Sequence, residues 1–154
     1  MIEDKTTESL NKILRQTKPD RISDYLEKNA DTLVNENKPF RAYMLGILRK
    51  KGYKQQELFI AADISEKYGY RIISEEKHTK QRDTVLRLCY AGRFSLLEAQ
   101  RALKIYGMPA LYAKIPRDAV LIIAFNNGIY DISSVNSLLL ENKMDPLRPC
   151  GETE

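Results

Sequence analysis

Apolar residues recur at three- and four-residue intervals along nearly the whole chain, and no stretch alternates apolar and polar residues between paired glycines as a half-buried strand would. That periodicity predicts an all-α protein. Leu10, Ile13 and Leu14 mark a first helix, and Ile22, Tyr25, Leu26, Leu33 and Val34 mark a second that begins near Pro19 and Asp20. Phe40, Tyr43, Met44, Ile47 and Leu48 mark a stronger amphipathic helix. Gly52 ends it, after the cations Arg49 to Lys51, which suit the negative end of a helix dipole. The run KQQELFIAADISEKYGYRII, Lys54 to Ile73, then reads as two short helices around a tight turn.

Past the loop EEKHTKQ, a helix from Arg82 to Ala91 offers Val85, Leu86, Leu88 and Cys89 to a core and ends at Gly92. Ser95 and Glu98 have the spacing of a capping box, in which each side chain satisfies the other's free backbone donor, and they open the helix LLEAQRALKIY. A last pair is predicted over Pro116 to Asn126 and Asp131 to Glu141, with Asn127-Gly128 as the turn and Asp131 as a cap. These last two helix pairs resemble one another. RDTVL at Arg82 to Leu86 returns as RDAVL at Arg117 to Leu121, a shift of 35, and after one inserted residue Leu103, Met108 and Leu111 match Leu139, Met144 and Leu147. A hairpin with one apolar face cannot bury it alone, so a second hairpin stacked on the first would extend the same core. Chance likeness between two ordinary hairpins is the other reading.

The charge is unevenly placed. Residues 40–107 hold 14 Lys and Arg against 7 Asp and Glu, whereas residues 1–39 hold 7 against 8 and residues 108–154 hold 4 against 6. A basic centre between mildly acidic ends points to a polyanionic partner. At 154 residues the chain suits one compact domain with small appendages, able to bury about 70% of its unfolded surface without metals or disulfides. Cys89 falls in the apolar rhythm of VLRLC and Cys150 in a polar tail, so the two are expected as one core thiol and one free tail thiol, which suits a reducing cytoplasm. The longest apolar run, AVLIIAF from Ala119 to Phe125, is far short of the roughly 18 residues of a membrane span. MIEDKTTES lacks the apolar core of a signal peptide. A soluble, cytoplasmic protein without a membrane partner is expected.

Gln55, Glu57 and Leu58 opening one helix, Ile64-Ser65 leaving a turn, Arg71-Ile72 in the next helix and VLRLC in the one after together resemble the lambda-repressor-like, or Cro/CI-type (XRE family), helix-turn-helix domain. The resemblance runs from Phe40 to about Tyr106 and implies a five-helix domain over residues 40–107. An N-terminal helical arm (1–39), a C-terminal helical hairpin (108–148) and a disordered tail (149–154) would flank it. It further implies a sequence-specific, DNA-binding transcriptional regulator that acts as a homodimer on double-stranded DNA. In such proteins the helix after the turn enters the major groove, which here assigns base contacts to Glu66, Lys67, Tyr70 and Arg71. Phosphate contacts would fall to Lys54 and Gln55 before the turn, and to Lys77, His78, Lys80 and Arg82 in the following loop. Glu75 and Glu76 weaken that patch.

Three departures from the family pattern need a physical account. Phe59 stands where the family commonly has a small residue and Gly69 where it commonly has Ile or Val, so bulk is expected to have crossed a single contact. Asp63 stands at the turn position normally held by glycine, which calls for a left-handed backbone that Asp tolerates better than most residues. The mixed signs of Glu66, Glu75 and Glu76 also admit a helical adaptor that binds protein through the altered helix or the C-terminal hairpin. No cofactor, metal or enzymatic role is expected. The single histidine, His78, lies among lysines, no nucleotide or hydrolase motif occurs, and the acids Asp83 and Asp118 are read as helix-start residues.

Overall fold

The computed structural model describes residues 6–29, 33 and 38–150, and among them every regular element is helical. The chain divides into two compact units, Met1–Asn35 and Glu36–Glu154. In the first, α1 (Thr7–Gln16) is capped by Thr6, whose Oγ1 accepts the Ser9 N–H at 3.1 Å. A 3₁₀ turn at Pro19–Arg21 leads into α2 (Ile22–Lys28). This second helix is shorter than its apolar spacing predicts. The Asn29 side-chain amide donates to the Tyr25 carbonyl at 2.8 Å, and the Asn29 backbone N–H uses the same carbonyl, so the local amide competes with helical continuation. Val34 lies outside the described residues.

The second unit holds α3 (Pro39–Lys51), α4 (Gln55–Ala62), α5 (Glu66–Ile73), α6 (Arg82–Ala91), α7 (Leu96–Tyr106), α8 (Pro116–Asn126) and α9 (Ile132–Glu141). Proline opens α3, where a missing donor costs nothing, and left-handed Gly52 (φ 75°) closes it. Asp63 closes α4 in the left-handed region, at φ 57° and ψ 48°, as its turn position requires. Both halves of the capping box at Ser95 and Glu98 are formed. Asp131 caps α9 by accepting the Ser134 N–H at 3.0 Å. Gly92 ends α6 without itself turning left-handed; Arg93 does so (φ 55°), while a Cβ on Gly92 would meet the Phe94 ring at 2.6 Å.

A continuous core runs through this unit, from Phe40 and Met44 on α3 through Leu58, Ile72 and Leu86 to Leu103, Leu121 and Leu139. The division expected at residues 107/108 therefore falls inside one body. Cys150 is a free thiol as expected, but it is half-buried against that core, with its Sγ 3.4 Å from Thr84 Oγ1; residues 151–154 lie outside the described residues.

The repeated hairpins meet face to face rather than stacking in series. Arg82 forms a bidentate pair with Asp118 and also donates to the Pro109 and Ala110 carbonyls. Arg117 forms a bidentate pair with Asp83, at 3.0 and 2.9 Å, and also donates to the Asp145 and Pro146 carbonyls. Each acid further accepts one backbone N–H: Asp118 from Tyr112 and Asp83 from Arg148, both at 2.9 Å. Every contact thus has a counterpart 35 or 36 residues away. Tyr90 and Phe125, equivalent positions, stack on each other with centroids 3.9 Å apart. Reciprocal contacts of this kind belong to a local two-fold axis, not to the translation of a solenoid. Asp83 and Asp118 are accordingly more than helix-start residues; they hold the two hairpins together.

Candidate nucleic-acid interface

Two eight-residue helices and the turn between them position the surface in question. Ser65 caps α5 by accepting the Tyr68 N–H at 3.2 Å, which fixes the helix phase. Tyr68, Gly69, Ile72 and Ile73 then face the core, and Glu66, Lys67, Tyr70 and Arg71 face solvent. The inward seating depends on the exchange of bulk between α4 and α5. A Cβ on Gly69 would stand 2.6 Å from Phe59 Cγ, so the phenyl ring occupies the volume that a side chain at position 69 would need. Tyr70 sets its edge against the same ring, 5.0 Å between centroids at 78°.

Tyr70 and Arg71 share the wall of a shallow cavity of about 200 Å³ with Gln55, Arg41, Ser74 and Glu76. This brings together members of the two sets assigned separately to bases and to phosphates. Arg41 was not among them. It lies in the first turn of α3, 30 residues before Arg71 in sequence, and only the packing of α3 against α5 brings it there. Its one legible signal was a lone cation at a helix start. The neighbouring acid has local work: Glu75, left-handed at φ 63°, accepts the Arg41 backbone N–H at 3.4 Å, a donor that no helical carbonyl can reach.

The remaining assigned residues separate by what they touch. Lys54 is exposed immediately before α4, and Lys80 is exposed in the loop. Lys77 is half-buried, its Nζ 5.4 Å from the Tyr68 ring centroid. His78 stacks on Tyr106 with centroids 4.3 Å apart, and its Nε2 lies 3.3 Å from the Tyr106 carbonyl oxygen. Arg82 is committed to Asp118 and to the Pro109 and Ala110 carbonyls of the loop after α7.

Other cations of the basic centre are also committed internally. Arg87 is 4% exposed and donates to the carbonyls of Ala62, Leu147 and Arg148, at 3.1, 2.9 and 2.8 Å. A buried guanidinium is tolerable only when its donors are met in this way. Lys51 pairs with Glu98 at 3.1 Å. The outward charge of this surface is therefore more mixed than the segment count implies, with Arg41, Lys54, Lys67, Arg71 and Lys80 set against the exposed acids Glu57, Asp63, Glu66 and Glu76.

Among the described residues no cluster of His, Cys, Asp and Glu is arranged to hold a metal ion, and no helix is long and apolar enough to cross a membrane. Compared with protein-family models, with curated proteins and with solved structures, the chain matches none.

Proposed function

We propose that the protein is a sequence-specific DNA-binding regulator that reads the major groove with α5 and holds the backbone with the start of α4. The observation that carries this reading is the division of α5. One side is anchored by Tyr68, Gly69, Ile72 and Ile73, and the other presents Lys67, Tyr70 and Arg71 to solvent. Arg71 has the reach and the fork geometry to span guanine O6 and N7, Lys67 suits guanine or a phosphate, and Tyr70 suits a thymine methyl. Gln55 and Arg41, which line the same cavity as Arg71, would supply donors for a phosphate.

Filter binding of a genomic fragment pool at two salt concentrations tests the reading. Retention of a few fragments is expected at low salt, with affinity falling on the order of a thousandfold toward physiological salt if about six phosphates are neutralised. Arg71→Ala and Lys67→Ala should each abolish the selectivity. A protein that retains no fragment at low salt is not a duplex reader. The second reading, a helical adaptor for another protein, is favoured by one observation: Ile60 on α4 is 74% exposed, an apolar contact point that phosphate does not use.

A further inference from the structure

The two hairpins share their Arg–Asp contacts but not their outer faces. On α6, Thr84, Val85, Arg87 and Leu88 are all buried, with α4 packed against this helix and the C-terminal segment covering Arg87, through the Leu147 and Arg148 carbonyls, and Thr84, through Cys150. Their counterparts on α8 are less covered: Ala119 is half-buried, Val120 and Ile122 are half-buried against the core, and Ile123 is 55% exposed. Charge divides in the same way. Where the first hairpin has Arg87, Arg93, Glu98, Arg101 and Lys104, the second has Ile122, Gly128, Ser134, Ser137 and Leu140. From Ala119 to Leu140 the one charged residue is Asp131, in a chain that is 30% charged overall. Ile115, Ala119, Ile122 and Ile123 follow one another at i, i+4, i+7 and i+8, a single stripe along α8.

We propose that this stripe is a homodimer interface, on which a second copy of the chain lays its own α8 about a two-fold axis. An uncharged face meets its own copy without like-charge opposition, whereas a charged partner finds nothing on it to pair with. On the other hairpin the equivalent face is covered from within the chain, by α4 and by the segment from Leu147 to Cys150. A stripe of aliphatic residues without a buried aromatic or arginine anchor makes a small interface, so the dimer forms at micromolar rather than nanomolar concentration. The proposed duplex reading gives the dimer its purpose, since two-fold proteins suit paired half-sites, but the assembly itself needs no nucleic acid.

Sedimentation velocity of the full chain without DNA, from about 1 to about 200 µM, tests it. A monomer–dimer equilibrium is expected, and Ile123→Glu should raise the dissociation constant at least about a hundredfold, because the two-fold axis buries two unpaired carboxylates. Leu97→Glu, at a leucine 52% exposed on α7, should leave the constant unchanged. Ile123→Ser, a milder change, should shift it in the same direction should the glutamate variant fail to fold. A chain monomeric throughout, a dimer indifferent to both substitutions at position 123, or one lost only when residues 1–36 are deleted would overturn the proposal. None of these outcomes touches the fragment-retention result, so the two ideas fail separately.

Discussion

Gly69 and Phe59 carry one volume between them, and that makes the sign of a single substitution diagnostic. Alanine in place of a mid-helix glycine ordinarily stabilises by about 0.5–1 kcal/mol. Here the added methyl meets Phe59 Cγ at 2.6 Å, so Gly69→Ala should instead destabilise by about 1–3 kcal/mol in urea unfolding. Combining it with Phe59→Leu should recover part of the loss, and simple additivity would mean that the two positions do not share the space. Cys89 and Tyr90 supply a second residue-level expectation. Burial, helped by the nearby Glu98, pushes the Cys89 thiol up from its ordinary 9.0; burial, then Cys89, pushes the Tyr90 phenol up from 10.0, with Arg117 opposing. Both groups stay neutral in the folded chain while their unfolded forms ionise. Their contribution to stability is therefore complete below pH 9 and is lost progressively as pH rises above it. The melting temperature should fall from pH 9 to 11, and Tyr90→Phe should flatten the slope near pH 10 while removing the bond to the Leu121 carbonyl, at a cost of about 1 kcal/mol.

At the scale of elements, the short helices around the turn depend on their ends. An eight-residue helix is far below the length that is stable by itself, so α5 relies on packing and on Ser65. Ser65→Ala should cost about 1 kcal/mol, seen as a lower urea midpoint with unchanged slope. The elements were largely legible because their punctuation is local. Gly52, Asp63 at the turn, Gly92, Asp131, and Ser95 with Glu98 each state a helix boundary within a few residues, and the 35-residue shift showed which hairpins match. What the sequence hid was side-chain direction between distant segments. Arg82 was assigned to phosphate and Arg87 counted toward the basic centre, yet one faces Asp118 and the other three carbonyls from two separate stretches of chain. Arg41 was missed for the converse reason, since its nearness to Arg71 exists only once α3 and α5 have packed. At the end of α2 the Asn29 side chain bonds the Tyr25 carbonyl, a competition that apolar spacing does not register.

Across the whole molecule, the reciprocal Arg–Asp pairs make the second hairpin part of the first one's support. The Asp118 side chain is 1% exposed, and removing it leaves the Arg82 guanidinium against carbonyls alone, so Asp118→Ala should destabilise by about 3–5 kcal/mol in urea unfolding. A chain cut after residue 107 loses both pairs and the aromatic stack, and bares Leu86 and Tyr90. It should show reduced helicity and no cooperative thermal transition by circular dichroism; a sharp transition would mean that residues 40–107 are self-sufficient after all. The reciprocity also bears on kinetics. Each hairpin forms from contacts close in sequence, which assemble quickly, but both bidentate pairs join residues about 35 positions apart and close only when the finished hairpins dock. Docking is therefore expected to follow formation of the hairpins, and its reversal parts two ion pairs and a ring stack in one motion, so Asp118→Ala should speed unfolding in urea-jump measurements.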